Sequence, residues 1–214
     1  MSETPMLIVI AKHPVAGRVK TRLCPPCTPI EAADIARSAL EDTLATVATV
    51  RGIRPVLALD GPADEWRRPG LDIITQRGDG LADRIAAAFE DVGGPAFLIG
   101  MDTPQVRAAD LIAAFDALRG GYDAAIGPAA DGGFWGIGLH QPDARVFLGI
   151  PMSVSSTYAE QRSRLESLGS RTSELVSHRD VDTWRDALAV AEIAPTTRFA
   201  RSVQRVRQAE VAVR

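Results

Sequence analysis

Short apolar runs that alternate with longer stretches of helical spacing are the feature that most constrains the fold of this chain. The first run, residues 6–11 (MLIVIA), is rich in β-branched residues and lies between two prolines, which is typical of a strand buried on both faces. Further runs of this kind occupy 55–60, 71–75, 96–100, 123–127, 133–139 and 172–176. Helical spacing occurs from about Glu31, over 81–89, 111–118 and 156–168, and from about Thr183. Strand and helix in turn predict an α/β fold with a mostly parallel central sheet and helices on both faces.

Composition places the chain among globular proteins of one domain. Its 214 residues, 46% hydrophobic and 24% charged, suit a single buried core, and no apolar run approaches the roughly 18 residues of a membrane-spanning helix. The net charge of −3 gives no basic field for nucleic acid. We therefore expect a cytoplasmic protein with neither a membrane nor a nucleic acid as partner, in an oligomeric state that the sequence leaves open.

The end of the chain differs from the rest. Residues 196–214 hold five arginines and one glutamate, and the strand and helix alternation stops after Pro195. We predict one domain over 1–195, followed by a basic C-terminal tail over 196–214. The simplest interpretation of the tail is a frayed or surface helix whose arginines face solvent.

The loop after the first strand, residues 12–28, carries the strongest chemical signal. Ligands of parallel sheets bind at the carboxyl ends of the strands, and this loop brings four cations and a glycine to that edge: Lys12, Gly17, Arg18, Lys20 and Arg22. Lys12 and Lys20 are the only lysines, because the other 22 basic residues are arginines. Such a loop predicts a polyphosphate site, and a solvated basic loop is the alternative.

Two common nucleotide motifs are missing from the chain. No glycine precedes Gly17 at Walker A spacing, and no G-x-G-x-x-G sequence follows a strand. Neither a P-loop NTPase nor an NAD enzyme is therefore expected.

Asp102 follows the run at 96–100, at another strand end, where one carboxylate could hold Mg²⁺ or Mn²⁺ on nucleotide phosphates. The alternative is a cap or Asx turn for the next helix. Asp180 and Asp182 precede the helix near Thr183, where either could cap it and one could reach the metal. We select Asp102 and Asp182 as the metal pair.

A glycine-rich segment, GPAADGGFWGIGL (127–139), has the density of glycine expected where backbone approaches a ligand closely. Asp131 would lie beside the acceptor, or it could be a structural turn residue in a glycine-rich hairpin. Cys24 and Cys27 lack the second pair that a zinc site needs, so no metal or redox role is predicted for them.

Four segments together, KHPVAGRVKTRL, GMDTP, GPAADGGFWGIGL and DVDTW, resemble a bacterial glycosyltransferase-like family. That family lies within the GT-A-fold nucleotide-diphospho-sugar transferase superfamily. The chain is also distantly similar to molybdenum-cofactor and phospholactate guanylyltransferases. The resemblance implies a single-domain Rossmann-like GT-A fold over roughly residues 6–190.

The resemblance also implies roles for individual residues. It assigns nucleotide binding to Lys12, Gly17, Lys20, Thr21, Arg22, Gln76, Asp79 and Arg84. It assigns acceptor binding to Gly132, Gly133, Phe134 and Trp135, next to Asp131. The family commonly has Tyr-Tyr in place of Phe134-Trp135 and a tryptophan in place of Met152, so both departures fall on the acceptor side.

Two reactions fit this pattern. In nucleotidyl transfer, a small, phosphorylated or hydroxyl acceptor attacks an NTP, with Lys20, Arg22, Asp102 and Asp131 as the catalytic residues and pyrophosphate as the leaving group. In glycosyl transfer, the same metal assists a leaving nucleoside diphosphate, and Asp131 is a base for the acceptor hydroxyl. Four cations suit a triphosphate better than a diphosphate, which favours the first reaction. A non-catalytic nucleotide-binding module is a third hypothesis.

Overall fold

Seven strands form one sheet in the computed structural model, which describes the backbone of residues 4–213 and the side chains of residues 4–210. The strands are β1 (Met6–Lys12), β2 (Arg54–Asp60), β3 (Asp72–Thr75), β4 (Ala96–Gly100), β5 (Ala124–Pro128), β6 (Phe134–Leu139) and β7 (Thr172–Glu174). Their order in the sheet is β3-β2-β1-β4-β6-β5-β7. The predicted α/β fold with a mostly parallel central sheet is confirmed.

One strand runs against the others. β6 pairs antiparallel with both β4 and β5, whereas every other neighbouring pair in the described sheet is parallel. The physical reason is the connection, because the turn over 129–133 is too short for the crossover that parallel strands require. That turn therefore returns the chain beside β5 at the edge of the sheet where β1 and β4 end.

Helices cover both faces of the sheet. They are α1 (Pro29–Val47), α2 (Leu81–Val92), α3 (Ala108–Arg119), α4 (Thr157–Ser167), α5 (Trp184–Ile193) and α6 (Arg198–Val213). Along β1, Leu7 and Val9 belong to a core cluster with residues of α1 and α3, while Ile8 packs into a second cluster with residues of α2. β1 is thus buried on both faces, as its continuous apolar run predicts.

Local capping chemistry sets where two helices begin. Thr28 and Glu31 form a reciprocal capping box, so α1 starts at Pro29, two residues before the predicted start. Thr183 and Asp186 form the same motif at α5. The prediction that Asp180 or Asp182 caps this helix is therefore wrong, because Thr183 is the N-cap residue and both aspartates lie before it in the chain.

The C-terminal segment is a packed helix. α6 exposes Arg201 and Arg205 but buries Phe199 and Val203 completely, in a third core cluster with α1 and α5. Asp42 of α1 accepts hydrogen bonds from the Phe199 backbone and from the Arg198 side chain. The expected surface helix with arginines facing solvent is present in the described part of 196–214, and its other face packs into the core, which was not predicted from the sequence. Of the predicted domain over 1–195 and the predicted tail over 196–214, residues 1–3 and 214 lie outside the described residues.

The connections reverse direction beside β1. From β1 the chain continues outward to β2 and β3, then returns to place β4 on the other side of β1. A crevice forms at such a reversal, outside the carboxyl ends of the strands. Across the described part of the chain, no helix has the length and apolar character needed to span a bilayer.

Candidate active site

A cavity of about 590 Å³ opens at this crevice. It collects side chains from the loop after β1, the segment after β4, the turn between β5 and β6, and the start of α2. Most of the predicted site residues line it: Lys12, Lys20, Thr21, Arg22, Gln76, Asp79, Arg84, Asp102, Asp131, Gly133, Phe134, Trp135 and Asp182. Gly17 and Gly132 were also predicted but are not among the lining residues.

The loop after β1 holds Lys20 in an unusual backbone conformation. Its φ of 48° is in the left-handed region, which costs a non-glycine residue about 1–3 kcal/mol and is found mostly at functional sites. The Lys20 side chain is only 10% exposed, and its ammonium lies 2.7 Å from Asp102 Oδ1 and donates to the Val181 carbonyl. Lys20 therefore ties the loop to both the end of β4 and the segment before α5.

The other cations of this loop divide into paired and unpaired side chains. Arg22 forms an ion pair with Asp182. Lys12 and Arg18 line the same cavity, and neither contacts a carboxylate among the described side chains. Two positive charges are thus left uncompensated at the mouth of the crevice, where an anionic ligand would neutralise them.

Three aspartates line the cavity near Lys20. Asp102, Asp180 and Asp182 all line the cavity, and Val181 donates its backbone N–H to the Asp102 carbonyl, which holds the two segments together. Burial raises the pKa of Asp180 to about 6, and the nearby Asp131 and Asp102 carboxylates act in the same direction. Negative charge is therefore concentrated at this point of the cavity.

Carboxylate oxygens of this kind suit a hard divalent cation. Within residues 4–210, no three His, Cys, Asp or Glu side chains are spaced to enclose a metal by themselves. The donor set therefore fits a cation that takes one or two protein carboxylates and completes its shell with phosphate oxygens and water. Asp182 has one oxygen engaged by Arg22, whereas Asp180 has no such cationic partner within the described chain.

Gln76 and Arg84, which follow β3, support the cavity wall by contacting the ends of β1 and β2. Gln76 donates its amide to the carbonyls of Ala11 and Ala58 at 2.8 and 2.9 Å, which joins β1 to β2. Arg84 of α2 contacts Asp60 Oδ2 at 2.7 Å. The amide nitrogen of Gln76 is therefore used within the fold, and Arg84 is held over the end of β2.

On the opposite wall, the turn between β5 and β6 is fixed by its own hydrogen bonds. Asp131 Oδ1 accepts from the Gly133 backbone at 2.7 Å, the structural turn that the sequence left open as an alternative. Gly132 has a φ of 91°, and a Cβ there would lie 2.1 Å from the Ser155 carbonyl oxygen. Glycine is thus required at 132 by close backbone contact, and Asp131 keeps Oδ2 for other partners.

Trp135 belongs mainly to the core. It is 3% exposed, its indole N–H donates to the Val176 carbonyl at 2.9 Å, and its ring packs edge-on against Phe97. A Cβ at Gly127 would lie 2.2 Å from the indole nitrogen. The ring forms the floor of the cavity, and its polar atom is already bonded within the fold.

Further lining residues include Arg18, Met152 and Asp180, which the sequence pointed to without an assigned role in the site, and Ser153, which it did not single out. Ser153 has a φ of 62°, the only left-handed non-glycine besides Lys20 in the described chain. Asp180 was one of the two aspartates that the sequence offered for the metal. The structure adds that His178, two residues earlier, bridges to Ala129 and so brings this segment beside the glycine-rich turn. The family resemblance had put Met152 on the acceptor side, whereas no sequence signal singled out Ser153.

Comparison with a family model gives a match over residues 43–154, more than half of the chain. The description of the family is "Uncharacterized protein conserved in bacteria (DUF2064)". No curated protein matches the chain.

Solved structures share the fold. A structure from Desulfovibrio desulfuricans G20, provisionally described as a nucleotide-diphospho-sugar transferase, is 27% identical with a TM-score of 0.85, and the match covers 99% of this chain and 96% of that one. CMP:2-keto-3-deoxy-manno-octonic acid synthetase complexed with CTP is 16% identical with a TM-score of 0.57, covering 89% and 100%. Rv0371C from Mycobacterium tuberculosis H37Rv, in complex with manganese, is 20% identical with a TM-score of 0.55, covering 90% and 100%.

Proposed function

This chain belongs to the DUF2064 family, and we propose that it is a metal-dependent nucleotidyltransferase. It takes an NTP and a small acceptor, forms a bond from the acceptor to the α-phosphorus, and releases pyrophosphate. The fold shared with a cytidylyltransferase-type synthetase and with a nucleotide-diphospho-sugar transferase supports nucleotide-dependent group transfer in general. The choice between the two reactions rests on the site.

The observation that carries the proposal is the pair of uncompensated cations. Lys12 and Arg18 line the cavity without a carboxylate partner among the described residues, while Lys20 and Arg22 are already neutralised by Asp102 and Asp182. A triphosphate carries about four negative charges, and a nucleoside diphosphate sugar carries about two. Two free cations and a divalent ion together bring about four positive charges to one cavity, which balances the charge of the triphosphate.

The reaction requires little beyond position and charge. The acceptor oxygen forms a bond to the α-phosphorus, the bond from the α-phosphorus to the bridging oxygen breaks, and that electron pair leaves with pyrophosphate. Lys12 and Arg18 bind the β- and γ-phosphates and so stabilise the charge that develops on the leaving group. Lys20 holds Asp102 in place at the reversal of the sheet, and Arg22 does the same for Asp182.

Asp102 is the principal candidate for holding Mg²⁺ or Mn²⁺, with Asp182 or Asp180 as its partner. A bound divalent ion would supply neutralisation of the phosphate oxygens during transfer. Asp131 Oδ2 accepts the acceptor proton in this proposal, which is supported by the fact that the turn uses only the other oxygen of that carboxylate.

Glycosyl transfer is the second candidate. It is favoured by the 27% identical relative, which is provisionally described as a nucleotide-diphospho-sugar transferase and matches nearly the whole chain. In that reaction Asp131 would act on an acceptor hydroxyl and a nucleoside diphosphate would leave. The two reactions therefore differ in the leaving group.

Equilibrium binding tests the proposal directly. Calorimetric titration of the four NTPs, the matching diphosphates and nucleoside diphosphate sugars, each with Mg²⁺ or Mn²⁺, should show one NTP bound at least 10-fold more tightly than its diphosphate sugar. Metal removal with EDTA should abolish most of this preference. Tighter binding of the diphosphate sugar, with release of a nucleoside diphosphate on turnover, would favour glycosyl transfer. Tight NTP binding in the absence of any turnover would leave the non-catalytic module as the function.

A further inference from the structure

The distribution of charge around the cavity distinguishes two halves. We call the part lined by residues 12–22 and by Arg84 the phosphate half. We call the part lined by Ala129, Asp131, Gly133, Phe134, Trp135, Met152, Ser153 and Thr157 the acceptor half. All five basic residues that line the cavity in the described structure are in the phosphate half.

The strand order keeps Arg84 away from the acceptor half. Arg84 is fixed to Asp60 at the end of β2, and β1 and β4 lie between β2 and β6. Three strand spacings of about 4.8 Å separate β2, where Arg84 is anchored, from β6 by about 14 Å. Lys20, the most buried of the loop cations, is held by Asp102 and the Val181 carbonyl.

The acceptor half offers a different chemistry. Phe134 and Met152 supply an apolar wall, Ser153 supplies a hydroxyl from a left-handed backbone position, and Asp131 supplies a carboxylate oxygen. Among the residues that line this half, a phosphate group would meet no arginine or lysine, whereas an alcohol needs only neutral or anionic hydrogen-bond partners.

We propose that the acceptor is an uncharged, hydroxyl-bearing compound with an apolar face, and not a phosphate ester. This inference rests on the proposed nucleotidyl transfer. The hydroxyl oxygen bonds to the α-phosphorus, its proton passes to Asp131 Oδ2, and pyrophosphate leaves with the electron pair of the broken bond. The product is a nucleoside monophosphate ester, with one phosphate between nucleoside and acceptor.

The reverse reaction tests this inference before the natural acceptor is known. Pyrophosphate and Mg²⁺ are supplied with two matched sets of compounds for the four bases: nucleoside monophosphate sugars and nucleoside diphosphate sugars. Attack of pyrophosphate on the α-phosphorus yields an NTP in both cases, with a free alcohol from the first set and a sugar phosphate from the second. We expect NTP formation from the monophosphate set to be at least 10-fold faster.

A cation placed in the acceptor half should shift this ratio. Met152→Lys adds one positive charge to the wall, so it should move the preference at least 10-fold toward the diphosphate set. Leu148→Lys is the matched control, because Leu148 is 48% exposed and lies outside the cavity. The control should keep the wild-type ratio.

The outcomes separate the two proposals. NTP formation that is faster from the diphosphate set in the wild type would overturn the uncharged acceptor and leave nucleotidyl transfer standing. Formation of no NTP from either set would overturn nucleotidyl transfer, and the acceptor inference would fall with it. The wild-type ratio decides the inference even when Met152→Lys is too unstable to measure.

Discussion

The phosphate half of the cavity is a loop that presents exposed cations, whereas the acceptor half is a tight turn and a strand packed against the core. In the loop, Lys12 and Arg18 are exposed and no carboxylate contacts them among the described residues. Next to the acceptor half, the backbone of Gly132 lies in close contact with the Ser155 carbonyl, and within this half Trp135 is nearly buried. Unpaired charge therefore characterises the phosphate half, whereas close packing determines the shape of the acceptor half.

This difference predicts different responses to mutation. Removal of a loop cation costs little folding free energy, because an exposed side chain contributes few packing contacts. It should change ligand affinity instead. Substitution in the packed half should change both stability and ligand choice, because the same atoms build the core and the wall.

The largest expected effect is at Asp102, between the two halves. Asp102→Asn should lower turnover at least 100-fold, a loss of about 2.7 kcal/mol in transition-state stabilisation, because an amide holds a divalent ion poorly. The free energy of unfolding should change by only about 1 kcal/mol, since Lys20 keeps its bond to the Val181 carbonyl. Steady-state kinetics and urea unfolding measure the two quantities.

Asp116→Asn is the matched control for that substitution. Asp116 is an exposed carboxylate paired with Arg119 on α3, outside the cavity. Its loss should leave turnover unchanged. Turnover of Asp102→Asn within twofold of the wild type would refute the metal role of this residue.

A smaller effect, specific to the phosphate half, is expected from the unpaired cations. Lys12→Ala and Arg18→Ala should each weaken NTP binding by about 1.5–3 kcal/mol, the scale of a hydrogen bond to a charged group. Binding of a nucleoside diphosphate sugar should weaken at least 10-fold less. Calorimetric titration of both ligands into each variant gives the comparison as a ratio.

Arg51→Ala controls for the loss of one positive charge, because Arg51 is exposed and does not line the cavity. Equal weakening of both ligands by Lys12→Ala and Arg18→Ala would contradict the assignment of these cations to the β- and γ-phosphates. Lys20→Ala is a poorer test, since it would also release Asp102.

The smallest effect concerns the negative charge beside the acceptor half. Burial and the Asp131 carboxylate raise the pKa of Asp180 from 3.8 to about 6, so the folded protein binds this proton more tightly than the unfolded chain does. Stability from this group is therefore fully present below pH 4 and is lost as the pH rises through 6. Partial exposure reduces the effect to about 1 kcal/mol.

Asp180→Asn should consequently be about 1 kcal/mol more stable than the wild type at pH 7.5, with an advantage that shrinks toward pH 4.5. Urea unfolding across this range measures it. Asp182→Asn is the control, because Asp182 is exposed and paired with Arg22, and it should not gain stability at pH 7.5. If the free energy of unfolding of the wild type ran parallel to that of Asp180→Asn across this pH range, the pKa of Asp180 would not be raised.

Much of the fold was predictable because its elements are set by local patterns. The apolar run at 6–11 needs two covered faces, and the periodic residues of α2 need a core on one side. The packing of the C-terminal helix into the core was not predicted, and the reason is physical. α6 contributes Phe199 and Val203 to a cluster that α1 and α5 complete, and its many polar residues obscured that apolar face.

The sequence by itself determined which strand ends line the cavity: the basic loop after β1, Asp102 after β4 and the glycine-rich turn before β6. These signals are local, since residue type and position relative to an apolar run are enough to place them. Only the tertiary structure decided which charges remain free. Lys20 and Arg22 are matched with carboxylates about 80 and 160 positions away in the sequence, whereas Lys12 and Arg18 are not matched among the described residues. Pairing depends on distances in space that the order of residues does not encode, and so does the separation of the cations from the apolar wall at Phe134 and Met152.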